Sequence, residues 1–246
     1  MVQDKINKTA VIIPARLNST RLKNKLLLKV NDKPVIQYVY ESAKKAKLTS
    51  KVIIATDSEE IYGIAKNFGA DVEMTSADHK SGSDRIAEVA KRHGEFEYIL
   101  NMQGDEPEIT PEVIDKALDA IQNTDSDIST LVRKITDREQ IESPNCVKCV
   151  FDNEFNALYF SRFPVPYPRN PEFATYYAHI GMYGYKKEAL LKMTSLPQAE
   201  IEKTESLEQL RALYNGMKIK VIVTDLNPTG IDTIEDFNKF KASFEK

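Results

Sequence analysis

The sequence predicts an α/β protein built on a doubly wound, mostly parallel sheet, and three observations carry that expectation. Short apolar runs at 10–13, 51–55 and 98–102 read as strands buried on both faces. Stretches with helical periodicity separate them, which is the alternation of a parallel α/β sheet. A polar loop with clustered cations follows the first run, at the carboxyl end of a strand, where open α/β sheets bind ligands.

The first run ends at Pro14, which has no amide hydrogen to continue a ladder. The loop beyond it holds Arg16, Arg21 and Lys25 but no glycine, so it is not a Walker A loop. Guanidinium forks suit phosphate oxygens and a lysine adds a point charge; on charge spacing alone, a solvated basic turn is an equal reading. Residues 26–30 are expected as a short strand and Asn31-Asp32 as a turn. Pro34 suits the first position of a helix with Val35, Ile36, Val39, Ala43 and Ala46 toward the core. After the strand at 51–55, Asp57 and Glu60 fit a capping box and Gly69 a helix stop. A strand over 71–74, a loop over 75–82 and a helix over 83–93 ending at Gly94 come next. The strand over 98–102 then delivers Gln103-Gly104-Asp105. Thr110 and Pro111 open a helix that turns Val113, Ile114, Ala117, Leu118 and Ile121 inward.

From Asp127 the pattern becomes richer in strands, expected at 128–132, 147–151, 157–160 and 180–185, with a hairpin turn at Asp152-Asn153. Pro164, Pro166, Pro168 and Pro171 interleave with Tyr167, Phe173 and Tyr176 in a segment too proline-rich for a central strand. Exposed aromatics of this kind often serve an interface. A helix over 202–214, a strand over 219–223 and a last helix capped by Thr233 and Asp236 return to α/β. The expectation is a single domain over 1–246, with a smaller strand-rich subregion at about 140–200.

Length and composition fit a globular chain with a substantial core: 246 residues, 41% hydrophobic and 29% charged. A net charge of −3 gives no reason to expect nucleic acid as a partner. No apolar run is long enough to span a membrane, and the N-terminus lacks a signal peptide's apolar core, so a cytoplasmic location is expected. Cys146 and Cys149 form a C-x-x-C with no second Cys or His pair to complete a zinc site, and reduced structural thiols are the expectation.

The loop Ile-Pro-Ala-Arg-x-x-Ser-x-Arg-Leu-x-x-Lys, residues 13–25, resembles the signature of the CMP-sugar synthetases. Within them the chain is most similar to the 3-deoxy-manno-octulosonate (Kdo) cytidylyltransferases. The similarity continues through Ala55-Thr-Asp57, Met74-Thr-Ser-Ala-Asp-His79, Ser81-Gly-Ser-Asp-Arg85 and Gln103-Gly-Asp-Glu-Pro107. It returns at Ala157-Leu-Tyr-Phe-Ser-Arg162, His179-Ile-Gly-Met-Tyr-Gly-Tyr185, Leu207-Glu-Gln-Leu-Arg211 and Thr229-Gly-Ile-Asp-Thr233. Three departures stand out. Lys23, Asn24 and Leu26 replace the usual Pro, Gly and Pro; Ser83-Asp84 replaces Thr-Glu; and residues 199–206 are atypical.

The resemblance implies a Rossmann-like sheet of the nucleotide-diphospho-sugar transferase type with a dimerisation and sugar-binding subregion. It implies transfer of CMP from CTP to Kdo, with Mg²⁺ as cofactor, a homodimer, and a product used for lipopolysaccharide. Asp105 and Asp232 match the acidic positions that bind magnesium; by composition alone, Asp232 is an ordinary residue before a helix. Arg16, Lys25, Asp105 and Asp232 are the implied catalytic set. Ala15, Arg16, Ser19, Arg21 and Lys25 are implied at the triphosphate, with Ser81, Gly82 and Arg85 around the cytidine. Ser81 also reads as a plain helix cap, and Arg85 as half of an ion pair. For the sugar the resemblance points to Gln103, Arg162, His179, Tyr183, Glu208 and Gln209. His179 reads equally as a core histidine and Glu208 as the exposed member of an amphipathic helix. Two rivals remain: the same chemistry on 8-amino-Kdo or another 2-keto sugar acid, and a non-catalytic nucleotide-binding module on the same scaffold.

Overall fold

The computed structural model describes residues 2–17 and 22–244, so Ser19 and Arg21 lie outside the described residues. The chain packs as two compact units, Met1–Asp115 with Pro228–Lys246, and Lys116–Asn227.

In the first unit, α1 (Val2–Asn7) leads into β1 (Thr9–Ala15). A 3-10 turn (Lys25–Leu27) and a small ribbon of β2 (Lys29–Val30) and β3 (Lys33–Pro34) precede α2 (Val35–Lys44). Then follow β4 (Lys51–Thr56), α3 (Glu59–Asn67), β5 (Asp71–Met74), α4 (Gly82–Arg92), β6 (Tyr98–Asn101) and α5 (Pro111–Asn123), the last running across the boundary between units. β1 is central: it pairs in parallel with β4 (Ile13 opposite Ile54) and with β6 (Val11 opposite Leu100), and β4 pairs in parallel with β5. Ala10 to Ile13 are fully buried, as a strand covered on both faces must be.

In the second unit, β7 (Ile128–Ile135) is followed by α6 (Arg138–Glu142), the hairpin of β8 (Lys148–Phe151) and β9 (Ala157–Ser161), and the long β10 (Tyr176–Lys186). Three helices, α7 (Lys187–Ser195), α8 (Glu200–Glu205) and α9 (Gln209–Tyr214), precede β11 (Ile219–Val223). β7 pairs antiparallel with β10 and parallel with β11. The chain then returns to the first unit as α10 (Ile234–Ala242), whose Phe237 and Phe240 join Val30, Val35 and Ile231 in one buried cluster.

Several expected boundaries move for identifiable reasons. Pro34 is the N-cap rather than the first helical residue of α2. Ser58, not Asp57, caps α3, because Asp57 pairs with Arg85 instead. Residues 26–30 are mostly turn, with only Lys29–Val30 extended. The helix expected over 202–214 is two helices, broken where Ser206 adopts left-handed φ 51°. No helix of the described residues is long and apolar enough to cross a membrane. Cys146 and Cys149 are free thiols, and burial pushes the Cys149 thiol up, away from reactive thiolate character.

At the end of α4, His93 bonds Glu73 at 2.6 Å and Glu95 at 2.9 Å. Burial opposes the charge on the ring, but the two carboxylates outweigh it and hold its pKa above the ordinary histidine value. A raised folded-state pKa adds stability that is complete below the unfolded value of about 6.5 and is lost as pH rises through the folded value. Thermal midpoints measured across that range are expected to fall with rising pH, and to fall less in His93→Gln.

Candidate active site

The turn after β6, the approach to α10 and the 3-10 turn after β1 bring a pair of carboxylates and a lysine together in the first unit. β6 ends at Asn101, and the turn after it carries Gln103, Gly104 and Asp105. A β-carbon on Gly104 would lie 3.1 Å from Ile36 Cδ1 and 3.2 Å from the Pro14 carbonyl oxygen, so glycine lets this turn pack against β1 without pushing its neighbours aside. The second carboxylate, Asp232, precedes α10, where Thr233 and Asp236 form the expected capping box. The Ile231 amide donates to the Asp105 carbonyl at 2.8 Å, which ties the two acidic segments directly. The docked face of α10 then fixes Asp232 from the other side.

Lys25 lies between these carboxylates. Its Nζ donates to Asp232 Oδ1 at 2.8 Å and forms an ion pair with Asp105. Burial opposes its charge, and the two aspartates outweigh burial and hold its pKa above the ordinary lysine value. The 3-10 turn carrying Lys25 starts from Asn24 at φ 54°, ψ 30°. That is the left-handed region, which glycine enters freely and asparagine tolerates. Asparagine in place of the usual Gly is therefore compatible with this turn. Asn24→Gly is expected to change urea-unfolding stability by less than about 1 kcal/mol. Asn24→Val is expected to cost about 1–2 kcal/mol and to lower turnover by displacing Lys25.

Glu106 is a neighbour the sequence reading missed. Its Oε2 is buried with no hydrogen-bond partner among the described residues. Burial, then the charges of Asp105 and Asp232, push its pKa up to about 8 against the opposing pull of Lys25. One lysine thus leaves this pocket of carboxylates under-neutralised. Among the described residues no three His, Cys, Asp or Glu side chains gather into a metal cluster. A pair of hard carboxylate oxygens in a negative pocket is nonetheless what Mg²⁺ uses when phosphate and water supply its other ligands.

The cationic loop continues the site. Ala15 ends β1, and the Arg16 guanidinium donates to the His79 and Ser81 carbonyls. Ser81 caps α4 in a full capping box with Asp84, so its hydroxyl is committed to the helix. Gly82 opens α4, where an added β-carbon would meet Pro14 Cγ at 3.3 Å. Gln103 Nε2 donates to Asn101 Oδ1 at 3.3 Å. Arg85, expected around the cytidine, is turned inward. Its side chain is fully buried, donating to Asp57 at 2.8 Å and to Thr75 at 2.5 Å. It braces the ends of β4 and β5 from behind.

In the second unit, Arg162 follows β9 and donates through Nε to the Glu205 carbonyl (2.6 Å), through Nη1 to Pro144 (2.8 Å) and through Nη2 to Ser206 (3.3 Å). The atypical segment 199–206 thereby acquires a purpose. Glu205 also accepts from Ser161 Oγ and the Arg162 amide, while Glu202 forms a bidentate buried pair with Arg211 at 2.9 and 2.6 Å. His179 shares 3.0 Å with Thr130 Oγ1 and packs edge-on to Phe160 and beside Tyr183. Loss of hydration pushes its pKa down to about 3, so the ring is neutral at physiological pH. Glu208 lies 3.7 Å from Arg211, and Gln209 is buried with its Nε2 lacking a partner among the described residues.

Residues 10–219 match the family model described as cytidylyltransferase. The chain is 43% identical to the 3-deoxy-manno-octulosonate cytidylyltransferase of Rhodopirellula baltica, over 97% of this chain and 99% of the relative. It is 46% identical to the enzyme of that name from Solibacter usitatus, over 94% of each. A solved structure of CMP:2-keto-3-deoxy-manno-octonic acid synthetase complexed with CTP superposes with a TM-score of 0.93. That protein is 37% identical, with 97% of this chain and 98% of the other covered. With near-complete coverage in both directions, and the acidic pair and loop lysine assembled in one place, the chain belongs to the cytidylyltransferases, in the branch of the 3-deoxy-manno-octulosonate enzymes.

Proposed function

We propose that this chain transfers CMP from CTP to Kdo, giving CMP-Kdo and pyrophosphate, and so activates the sugar for lipopolysaccharide assembly. The observation that carries it is the convergence of Asp105, Asp232 and Lys25, drawn from three distant parts of the sequence. The anomeric hydroxyl oxygen bonds to the α-phosphorus of CTP, the bond to the pyrophosphate oxygen breaks, and the hydroxyl proton leaves to water. Held by Asp105 and Asp232, Mg²⁺ would supply charge neutralisation on the triphosphate and orient it for in-line displacement. Arg16 and Lys25 bind triphosphate oxygens, with Ser19 and Arg21 in the same loop, while Ala15, Ser81 and Gly82 bring main-chain groups toward the nucleotide.

For the sugar, Arg162 keeps a fixed positive charge for the carboxylate, although its nitrogens are already anchored on carbonyls. Gln209 Nε2, Gln103, Glu208, Tyr183 and the neutral His179 read hydroxyls. A homodimer is part of the proposal, supported by the exposure of Phe163 (70%), Tyr167 (80%) and Phe173 (79%). Sedimentation of the wild type and of Phe173→Glu tests it.

The deciding experiment is pyrophosphate release with CTP and Mg²⁺ against Kdo, 8-amino-Kdo and a sialic acid. Release with Kdo is the expected result. Release with 8-amino-Kdo alone would keep the mechanism and change the substrate. No release with any of them would overturn the function.

A further inference from the structure

The loop between β5 and α4 is gathered by a single carboxylate. Glu88 accepts the Ser76 amide at 3.0 Å, pairs with His79 Nε2, and pairs with the Arg92 guanidinium. Arg92 in turn donates to the Met74 carbonyl at 2.8 Å and to Glu73 at 3.2 Å. Both ends of the loop are therefore drawn back onto α4. The His79 and Glu88 side chains are only 21% and 25% exposed, so water screens this pair less than an open surface pair.

The bent loop has one consequence at the site. It presents the His79 and Ser81 carbonyls to Arg16, whose Nη2 donates to both. A free arginine samples many rotamers, and ordering it costs entropy each time a ligand binds. Carbonyls held in place remove part of that cost beforehand, which is preorganisation.

We propose that the His79–Glu88 pair is a positioning device for the nucleotide: it fixes the loop whose carbonyls aim Arg16, and so sets CTP affinity. The proposal rests on Arg16 binding the triphosphate, as given under the proposed function. Neither side chain takes part in the chemistry, and the effect passes entirely through Arg16.

The test is steady-state kinetics with CTP and sugar varied separately, for the wild type, His79→Ala, His79→Gln, Arg16→Ala and the His79→Ala/Arg16→Ala double variant. His79→Ala is expected to raise KM for CTP about tenfold, the size of one charge-assisted hydrogen bond. KM for the sugar is expected to stay within about twofold, because sugar binding does not pass through Arg16. His79→Gln should recover most of the loss, since its amide can donate to Glu88. In the Arg16→Ala background the His79 change should add little, as coupled residues do in a double-mutant cycle. An unchanged KM for CTP in His79→Ala, or full additivity with Arg16→Ala, overturns the proposal. So does a lowered thermal midpoint with every kinetic constant intact. If His79→Ala fails to fold, Glu88→Gln breaks the charge of the same pair and gives the same readout. If the wild type releases no pyrophosphate with any 2-keto sugar acid, the proposed function is what fails; CTP calorimetry on the same variants still decides the role of the pair.

Discussion

Asp105→Asn is expected to reduce turnover by at least about 100-fold while CTP still binds. Several kcal/mol of transition-state charge stabilisation are at stake, and each 1.4 kcal/mol is a factor of ten. The substitution is nearly isosteric, so the turn at Gly104 and the amide bond from Ile231 to the Asp105 carbonyl remain. What changes is the charge. Lys25 keeps its 2.8 Å bond to Asp232 but loses its second anionic partner. Binding of CTP should weaken far less, because in the proposed function Arg16 and Lys25 remain to hold the phosphates. Turnover by pyrophosphate release and affinity by calorimetry separate the two quantities. An Asn variant with wild-type turnover would remove Asp105 from the catalytic set.

The largest stability effect is expected from Arg211→Met, about 3–5 kcal/mol by urea unfolding. Arg211 and Glu202 are both buried, and removing the guanidinium strands a carboxylate that accepts from the Ala199 amide at 3.0 Å and from Gln198 Nε2 at 3.4 Å, both neutral donors. Replacing both residues together, Arg211→Met with Glu202→Leu, should cost much less, since no unpaired charge is then left in the interior. The single variant should also damage sugar use. α8 carries Glu205, which holds Ser161 and the Arg162 amide, so loosening that helix loosens Arg162. A rise in KM for the sugar larger than that for CTP is the expected kinetic signature.

The parts of this molecule legible in the sequence are those where local chemistry and periodicity agree. The buried run of β1, the parallel strands beside it and the inward stripe of α2 follow from apolar spacing alone. Lys25 stood out first through the clustering of cations after β1 and Asp105 through its resemblance to a family motif, and the structure brings them together. Partner choice across long sequence distances was not legible. Nothing local shows that Arg85 would turn inward to Asp57, 28 residues earlier, or that Glu202 would reserve Arg211. The split of the 202–214 helix was equally hidden, because Ser206 is not a residue that announces a left-handed turn. Glu106 had one available signal: a second acid directly after Asp105, with no cation of its own nearby in sequence.

The first unit is built from two stretches of chain, one ending at Asp115 and the other beginning at Pro228. Its acidic pair is divided between them. During synthesis the ribosome therefore releases β1, β4, β5 and β6 long before Asp232, Phe237 and Phe240 emerge. Until then Val30 and Val35 lack their covering aromatics, and Lys25 has only Asp105 to hold it. A nascent chain halted before Ile231 carries every strand of the described residues and half of the acidic pair. The aromatic cover of Val30 and Val35 and the second partner of Lys25 thus arrive together, in the last stretch of chain to be made.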